Sequence, residues 1–457
     1  MDFDRFFETA TGFAPYAYQR HVALEGFPDL VEAPTAAGKT EAMVVPWLWR
    51  VFQGPPEVQA VTPRRLVIAL PMRTLVEQTR DRIESILERL DLADEVLVRV
   101  LMGGSLKKPD LNRWRMSPHQ RTIVVGTIDS IVSRGLNRGY GATRGAYPID
   151  FALVTNGAQL VVDEVQLGVQ ATTTLRQLRA FQRVWGTAEP VGLTCMSATV
   201  LPEAIDVVDN PYDPATTTVI RLTDEDEHNV ALAKRLRAIR IVEELPGTGS
   251  SASIADSAME THVPATLTLV MVNTVKRAVE IYQALKKRKP SADLRLIHSR
   301  FRGVERAVIV DAIRAQEHSG GGQIVVSTQS LEAGVDLDAR TLITEAAPWS
   351  SLVQRAGRCN RTGDQPSARL RWFTPRSLST VRHCRDGGGA AHTGGQRGDR
   401  ATAAAYGHLA DPGRPVDPSA HRLGGSVRDR RGPGRTRHRH KSVHPWRRPA
   451  GCPGDLG

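Results

Sequence analysis

The segment "LVEAPTAAGKTEA" constrains this chain more than any other stretch. A short apolar run ends in Ala33-Pro34-Thr35-Ala36-Ala37-Gly38-Lys39-Thr40, and a helical pattern opens directly after it. A turn of small residues lets backbone N–H groups wrap a phosphate at a helix N-terminus, where the helix dipole favours negative charge. Lys39 then reaches the β- and γ-phosphates of a nucleotide, and Thr40 offers its hydroxyl to Mg²⁺. Ala33 and Ala37 stand where glycine is common, so the strand–loop–helix context carries the reading. Twenty residues before Lys39 lies Gln19. Its planar amide can both donate to and accept from an adenine edge, which would select ATP; a plain surface amide is the competing reading.

A phosphate loop of this kind needs a carboxylate on a neighbouring strand to orient the metal and a second group to position the attacking water. The run "LVVDEVQLGV" supplies both, 124 residues after Lys39. Asp163, at the end of a β-branched strand, suits the metal role and Glu164 the water role. Taken alone, the same hexapeptide could be a strand running into a solvated acidic turn.

Around these motifs the first 380 residues alternate between short apolar runs such as "RLVIALP", "RTIVVGT", "TLTLVMVNT" and "QIVVSTQS" and helix-period stretches such as "TLVEQTRDRIESILERL". That alternation predicts α/β domains, parallel sheets with helices on both faces. "LPGTGSSASIADSA", Leu245 to Ala258, has the most linker-like composition, so the boundary falls between roughly 210 and 262; domains of 1–215 and 216–378 are expected.

From about residue 379 the texture changes. Ile, Phe, Met, Asn and Glu vanish, and Arg, Gly, Pro, His and Ala dominate. The segment 379–457 is read as an out-of-frame translation of a GC-rich gene or an unstructured basic tail in preference to a folded domain. It also controls the net charge of +11: residues 381–457 carry 14 Arg and 1 Lys against 6 Asp, which leaves +2 for everything before them. Global charge is therefore no argument for nucleic-acid binding; local placement must decide.

The four cysteines show no metal spacing. With no basic leader and no apolar run near the ~18 residues that span a bilayer, the chain is expected to be cytoplasmic, with reduced thiols and no membrane contact.

The second half contributes "SLVQRAGRCNRTG", which sets Gln354, Gly357, Arg358 and Arg361 in one turn-and-helix segment. Guanidinium groups stabilise charge on a transferring γ-phosphoryl, worth roughly 10³–10⁵ in rate. Arginines on a different domain from the phosphate loop would let ATP close a cleft between domains and hydrolysis reopen it.

"APTAAGKT", "LPMRTLVEQT", "VGTIDS", "VDEVQ", "MSAT", "STQSLEAGVDLD" and "QRAGRCNR" stand in the order of the superfamily-two helicase motifs, across about residues 15–365. Within that superfamily the chain resembles the type I CRISPR-associated helicase–nuclease recruited by Cascade, most of all in "LIHSRFRGVER", "GTIDSI" and "TQSLEAGVDLD". The resemblance implies two tandem RecA-like domains, hydrolysis of ATP with Mg²⁺, and 3′-to-5′ movement on single-stranded DNA by a monomer working with Cascade. It also implies roles by position. Arg73, Thr74 and Thr127 in the first domain, and Arg300, Thr328 and Gln329 in the second, would touch the DNA backbone. Ser197 and Thr199 would couple hydrolysis to domain movement, and Gly334 and Asp336 would sense nucleotide. Uncharged donors suit a motor that must grip and release repeatedly.

Two departures stand out. The family's His in the second motif is Gln166 here, and either side chain can hydrogen-bond across to "SAT". The family's metal nuclease needs a His-Asp dipeptide, and these 457 residues contain none. Rival readings are an RNA or DNA-repair helicase with the same core, a nucleotide-gated clamp without turnover, and a damaged gene product without function.

Overall fold

A computed structural model describes residues 1–34, 37–103, 114–139, 141–198, 205–245, 249–315, 320–332 and 335–374. The expected tail, 379–457, lies outside the described residues. Among the described residues two wholly parallel sheets organise the chain, both within one compact unit. The first has seven strands in the order β3-β4-β2-β5-β6-β1-β7. Its members are β1 (Leu30–Glu32), β2 (Arg65–Leu70), β3 (Val96–Leu101), β4 (Arg121–Thr127), β5 (Ala158–Val162), β6 (Gly192–Ser197) and β7 (Val219–Arg221). The second has six in the order β10-β11-β9-β12-β13-β8. These are β8 (Arg240–Glu244), β9 (Leu267–Met271), β10 (Asp293–Ile297), β11 (Gln323–Ser327), β12 (Thr341–Glu345) and β13 (Ala368–Phe373).

The apolar runs become strands buried on both faces because their residues alternate between two cores. In β2, Leu66, Ile68 and Leu70 join one cluster with the helix Lys39–Phe52, while Val67 and Ala69 face the other with Ile131 and Leu175. Likewise Leu267, Leu269 and Met271 of β9 enter one core of the second domain and Val270 the other. Continuous apolar strands of this sort occur where helices cover both faces of a parallel sheet.

The junction between domains, from Leu236 to Arg240, lies inside the expected window of 210–262 but beyond the expected first-domain end at 215. Residues beyond 215 still belong to the first domain: β7 pairs with β1, and Leu232 of the following helix, Val230–Leu236, enters the first core. Asp226 accepts from the Tyr18 N–H at 3.3 Å, and Glu225 pairs with Arg20 at 3.4 Å. The second sheet starts at Arg240. The stretch read as a linker holds the helix Ser251–Thr261, N-capped by the Ser250 hydroxyl and burying Ile254, Ala255 and Ala258 against the second sheet. Its small polar residues imitate a linker, but three apolar positions at helical spacing suffice to dock it.

In both sheets the C-terminal ends of the parallel strands form the edge where ligands bind in open α/β folds. β6 lies between β1 and β5, so Ser197 at its end falls between the phosphate loop and the acidic pair. Among the described residues, no helix is long and apolar enough to cross a membrane.

Candidate functional site

Gly38 is the N-cap of the helix Lys39–Phe52 and takes a left-handed φ of 77°. A Cβ there would meet Gln19 Nε2 at 2.7 Å, so both backbone angle and space demand glycine. The loop is held from below by the helix Ala17–Glu25: the Tyr18 hydroxyl donates to Ala37 O at 2.5 Å, and Gln19 Nε2 donates to Gly38 O at 3.0 Å. Gln19 Oε1 in turn accepts from the Tyr16 N–H at 2.9 Å. The buried Gln19 thus fixes the loop itself, and only its remaining N–H and lone pair are left for a base. Burial pushes the Tyr18 phenol well above its ordinary range, which keeps it a hydrogen-bond donor at any working pH. Sequence reasoning missed Tyr18; its place beside Gln19 was the available signal.

Lys39 is buried and folds back across the loop, donating to Ala33 O at 3.0 Å with Glu164 Oε1 at 3.6 Å. Asp163 follows β5 and is tied by its N–H to Ala69 O at 3.0 Å. Burial, and then the neighbouring Glu164 charge, push the Asp163 carboxyl up to about 7. Hard oxygen donors fit Mg²⁺: the Asp163 carboxylate and the Thr40 hydroxyl would hold it. Glu164 adopts φ 51° and ψ 53°, a left-handed conformation uncommon for a residue with a side chain and costing roughly 1–2 kcal/mol. Its side chain is the meeting point of the site. Glu164 Oε2 accepts from Gln166 Nε2 at 2.5 Å and from Gln354 Nε2 at 3.0 Å, while the Ser197 hydroxyl donates to Gln166 Oε1 at 2.9 Å.

The Gln354 bond crosses between the two domains. It comes from the helix Trp349–Ala356, whose continuation presents Arg358 and Arg361. A cavity of ≈ 150 Å³ runs between Lys39, Thr40, Asp163 and Glu164 on one wall and Asp336, Gln354, Arg358 and Arg361 on the other. Arg358 donates through Nε and Nη2 to Glu332 O at 3.1 and 2.9 Å. Burial, with Arg361 close by, lowers its guanidinium to about 10, still cationic at neutral pH. Arg361 pairs with Asp336 at 2.5 Å, and its N–H donates to Asp338 Oδ1 at 2.7 Å.

Arg355 was passed over in the sequence, yet it is the most connected side chain of the segment. Fully buried, it donates to Glu332 Oε1 at 2.7 Å, Thr344 Oγ1 at 2.9 Å, Glu345 O at 2.9 Å and Asn273 Oδ1 at 2.8 Å. Glu332 therefore clamps Arg355 with its carboxylate and Arg358 with its carbonyl. An arginine one position after Gln354 looks solvent-facing in a motif; only the ends of β9 and β12 reveal its partners.

The residues expected along DNA do not enter this cavity. Arg73 and Thr74 follow β2, Thr127 ends β4, Arg300 follows β10, and Thr328 and Gln329 follow β11, all on the C-terminal edges of the sheets. Arg73, Arg300 and Gln329 are exposed, whereas Thr328 is buried. Arg73 bonds Gly103 O, and Thr127 Oγ1 donates to Ser130 Oγ at 2.9 Å. Pro34 closes the described part of β1's exit; Thr35, Ala36, Thr199 and Gly334 lie outside the described residues.

Residues 16–207 match the DEAD/DEAH box helicase model, and residues 265–364 match the model for the C-terminal part of the CRISPR-associated nuclease/helicase Cas3. The CRISPR-associated helicase Cas3 of Thermoproteus tenax is 26% identical over 358 residues, 74% of this chain and 55% of that protein. In structure, the AMPPNP complex of T. fusca Cas3 aligns with TM-score 0.58 at 20% identity, over 81% of this chain and 47% of that one. The DUF1998 helicase MrfA bound to DNA aligns with TM-score 0.58 at 18% identity, over 83% of this chain and 52% of that one. The chain spans about half the length of each of these relatives.

Proposed function

We propose that this chain, a superfamily-two helicase core of the Cas3 type, hydrolyses ATP to move along single-stranded DNA in CRISPR interference. Movement 3′-to-5′, on target DNA opened by a Cascade-type surveillance complex, is part of the same reading. The observation that carries it is the bond from Gln354 to Glu164: the group that addresses the attacking water is held by a residue of the other domain.

In this reading the loop N–H groups and Lys39 bind the triphosphate, and Lys39 leaves Ala33 O and the neighbourhood of Glu164 to do so. Gln19 and Tyr18 keep the loop in shape. Thr40 and Asp163 would hold Mg²⁺, which would supply positive charge against the phosphates. Glu164 orients the water and takes its proton. Arg358 and Arg361 approach the γ-phosphoryl from the opposite wall, and their placement on the second domain makes hydrolysis depend on cleft closure. Gln166 and Ser197 link Glu164 to the end of β6, a route by which loss of the γ-phosphate is felt by the first domain. Arg73, Thr74, Thr127, Arg300, Thr328 and Gln329 hold the strand on the C-terminal edges, mostly through neutral donors.

The test is Mg²⁺-ATP hydrolysis by the full chain alone, with single-stranded DNA and with single-stranded RNA, using Lys39→Ala as the blank. Stimulation by DNA and a silent Lys39→Ala variant are expected. Stimulation by RNA alone would overturn the DNA reading. Tight ATP binding without turnover under any condition would leave a nucleotide-gated clamp.

A further inference from the structure

The first sheet carries another cavity, at the edge opposite Lys39 and Glu164. It measures ≈ 220 Å³ and opens between Asp29 before β1, Pro63 before β2, Gln159 near the start of β5 and Gly192 at the start of β6. These strands are neighbours in the order β2-β5-β6-β1, so the N-terminal ends of four parallel strands frame it. Three guanidinium groups and one carboxylate line it: Arg50, Arg179, Arg183 and Asp29.

Asp29 is already committed. Its Oδ2 accepts from the Thr218 N–H at 3.0 Å and the Thr218 hydroxyl at 2.8 Å, and its Oδ1 takes Arg183 Nη2 at 3.3 Å. Arg183 Nη1 donates to Asn210 Oδ1 at 3.1 Å. Arg179, one turn earlier on the helix Val169–Trp185, is half-buried, and its guanidinium makes no hydrogen bond or ion pair among the described residues. Burial, and then the Arg183 charge, lower it, while Asp29 opposes them more weakly. Arg50, buried near the end of the helix Lys39–Phe52, has only carbonyls as acceptors. Its Nη1 donates to Ala23 O at 2.7 Å and Leu24 O at 3.4 Å, and its Nε has no partner among the described residues. The lining thus holds two more positive charges than negative, in a place that penalises unpaired charge.

Gln159 adds a fixed acceptor. The Thr194 hydroxyl donates to Pro28 O at 2.6 Å, so Thr194 Oγ1 must receive an N–H from Gln159, and does so from Nε2 at 3.0 Å. That sets the amide of this buried side chain and leaves Oε1 without a donor among the described residues. Gly192 makes the room: a Cβ there would meet Gln159 Oε1 at 2.0 Å. The cavity holds about seven waters at ~30 Å³ each, less than the ~300 Å³ at which sites for drug-sized ligands begin.

We propose that this cavity binds a small phosphate dianion that also carries a hydroxyl, with Arg179 and Arg50 supplying the counter-charge and Gln159 Oε1 accepting the O–H. Hydrogen phosphate and a short phosphate monoester share that chemistry. Arg50 stands about three turns along the helix that opens at Lys39, so the site is separate from the nucleotide cavity and does not depend on the motor reading.

The experiment is isothermal titration calorimetry of phosphate, sulfate and glycerol 3-phosphate into the full chain at neutral pH, with AMP-PNP and Mg²⁺ present to occupy the phosphate loop. Hydrogen phosphate carries an O–H and sulfate carries none. Phosphate should therefore bind one site, ~10-fold more tightly than sulfate, which leaves the Gln159 acceptor unpaired. Arg179→Gln breaks no contact within the protein, so it should weaken phosphate ~30-fold, the worth of a charge-assisted hydrogen bond, and melt no lower than wild type without phosphate. Arg179→Lys should regain part of the affinity. Tighter binding of glycerol 3-phosphate than of phosphate would identify an organic ester as the ligand, and equal or weaker binding the free ion. No phosphate binding, equal affinity for sulfate, or wild-type affinity in Arg179→Gln would overturn the assignment.

Discussion

Asp163→Asn is expected to make the nucleotide-free protein more stable while abolishing its turnover. The Asp163 carboxyl is held up at about 7 against an ordinary 3.8, first by burial and then by the Glu164 charge. Between those values the folded chain keeps a proton that the unfolded chain has released, so stability falls as pH rises, by 1.36 kcal/mol per unit. Below the unfolded value there is no penalty. At pH 5.5 it is ~2 kcal/mol and above the folded value it levels off at ~4 kcal/mol. Asparagine cannot ionise, and its Oδ1 still accepts the Glu164 N–H that Asp163 Oδ1 accepts at 2.9 Å. The variant should therefore exceed wild type by ~2 kcal/mol at pH 5.5 and ~4 kcal/mol at pH 8, with a melting point ~10 °C higher at pH 8 for a domain of this size.

Thermal melts of wild type and variant, from pH 5 to 8.5 without divalent metal, give the gap directly. Adding Mg²⁺-ATP should then reverse it, because only wild type gains binding free energy from a metal-held triphosphate. A gap that does not widen between pH 5.5 and 7.5, or a variant less stable than wild type at pH 8, would refute the account of Asp163 as a buried acid whose burial outweighs the help of Lys39.

Two further outcomes are expected. Gln166→His keeps ATP turnover within a few-fold at pH 8, since imidazole can bridge Ser197 and Glu164, but adds a fall below about pH 6.5 as the ring protonates and loses its acceptor; a large gain at pH 8 would mean that Gln166 impairs coupling. Gln354→Ala removes the bond between domains, so the ratio of DNA-stimulated to unstimulated turnover should drop by about 10-fold, the worth of one hydrogen bond to a charged group; an unchanged ratio would show that the bond does not transmit the polymer's signal.

Much of this site could be read from the chain because each element announces itself locally. Small residues before Lys39 and a β-branched run before Asp163 are what a phosphate loop and its metal ligand would require, and both are local patterns. What places them together is strand order, which no local pattern encodes: β1 and β5 face the same cavity only because β6 lies between them. β7 is three residues long and carries no periodicity, so the first domain seemed to end too soon. The helix Ser251–Thr261 was hidden by its serines and alanines. Gln19 and Arg355 show a further limit. Both carry groups that could face a ligand, yet Gln19 commits part of its amide to the backbone and Arg355 its guanidinium to buried side chains and a carbonyl, a choice decided largely by neighbours distant in sequence.

Glu164 shows what those distant neighbours add. Lys39 belongs to the phosphate loop, Gln166 to the acidic motif itself, and Gln354 to the other domain, and all three address one carboxylate. In the proposed mechanism a water reaches Glu164 Oε2 by displacing one of its two amide donors, and Lys39 turns from Ala33 O to the phosphates. Of these contacts, the Gln354 bond alone is broken by parting the domains. If Glu164 activates the water as proposed, the availability of its oxygen and the spacing of the two domains are one variable, which is the minimum a motor needs to make chemistry wait for movement.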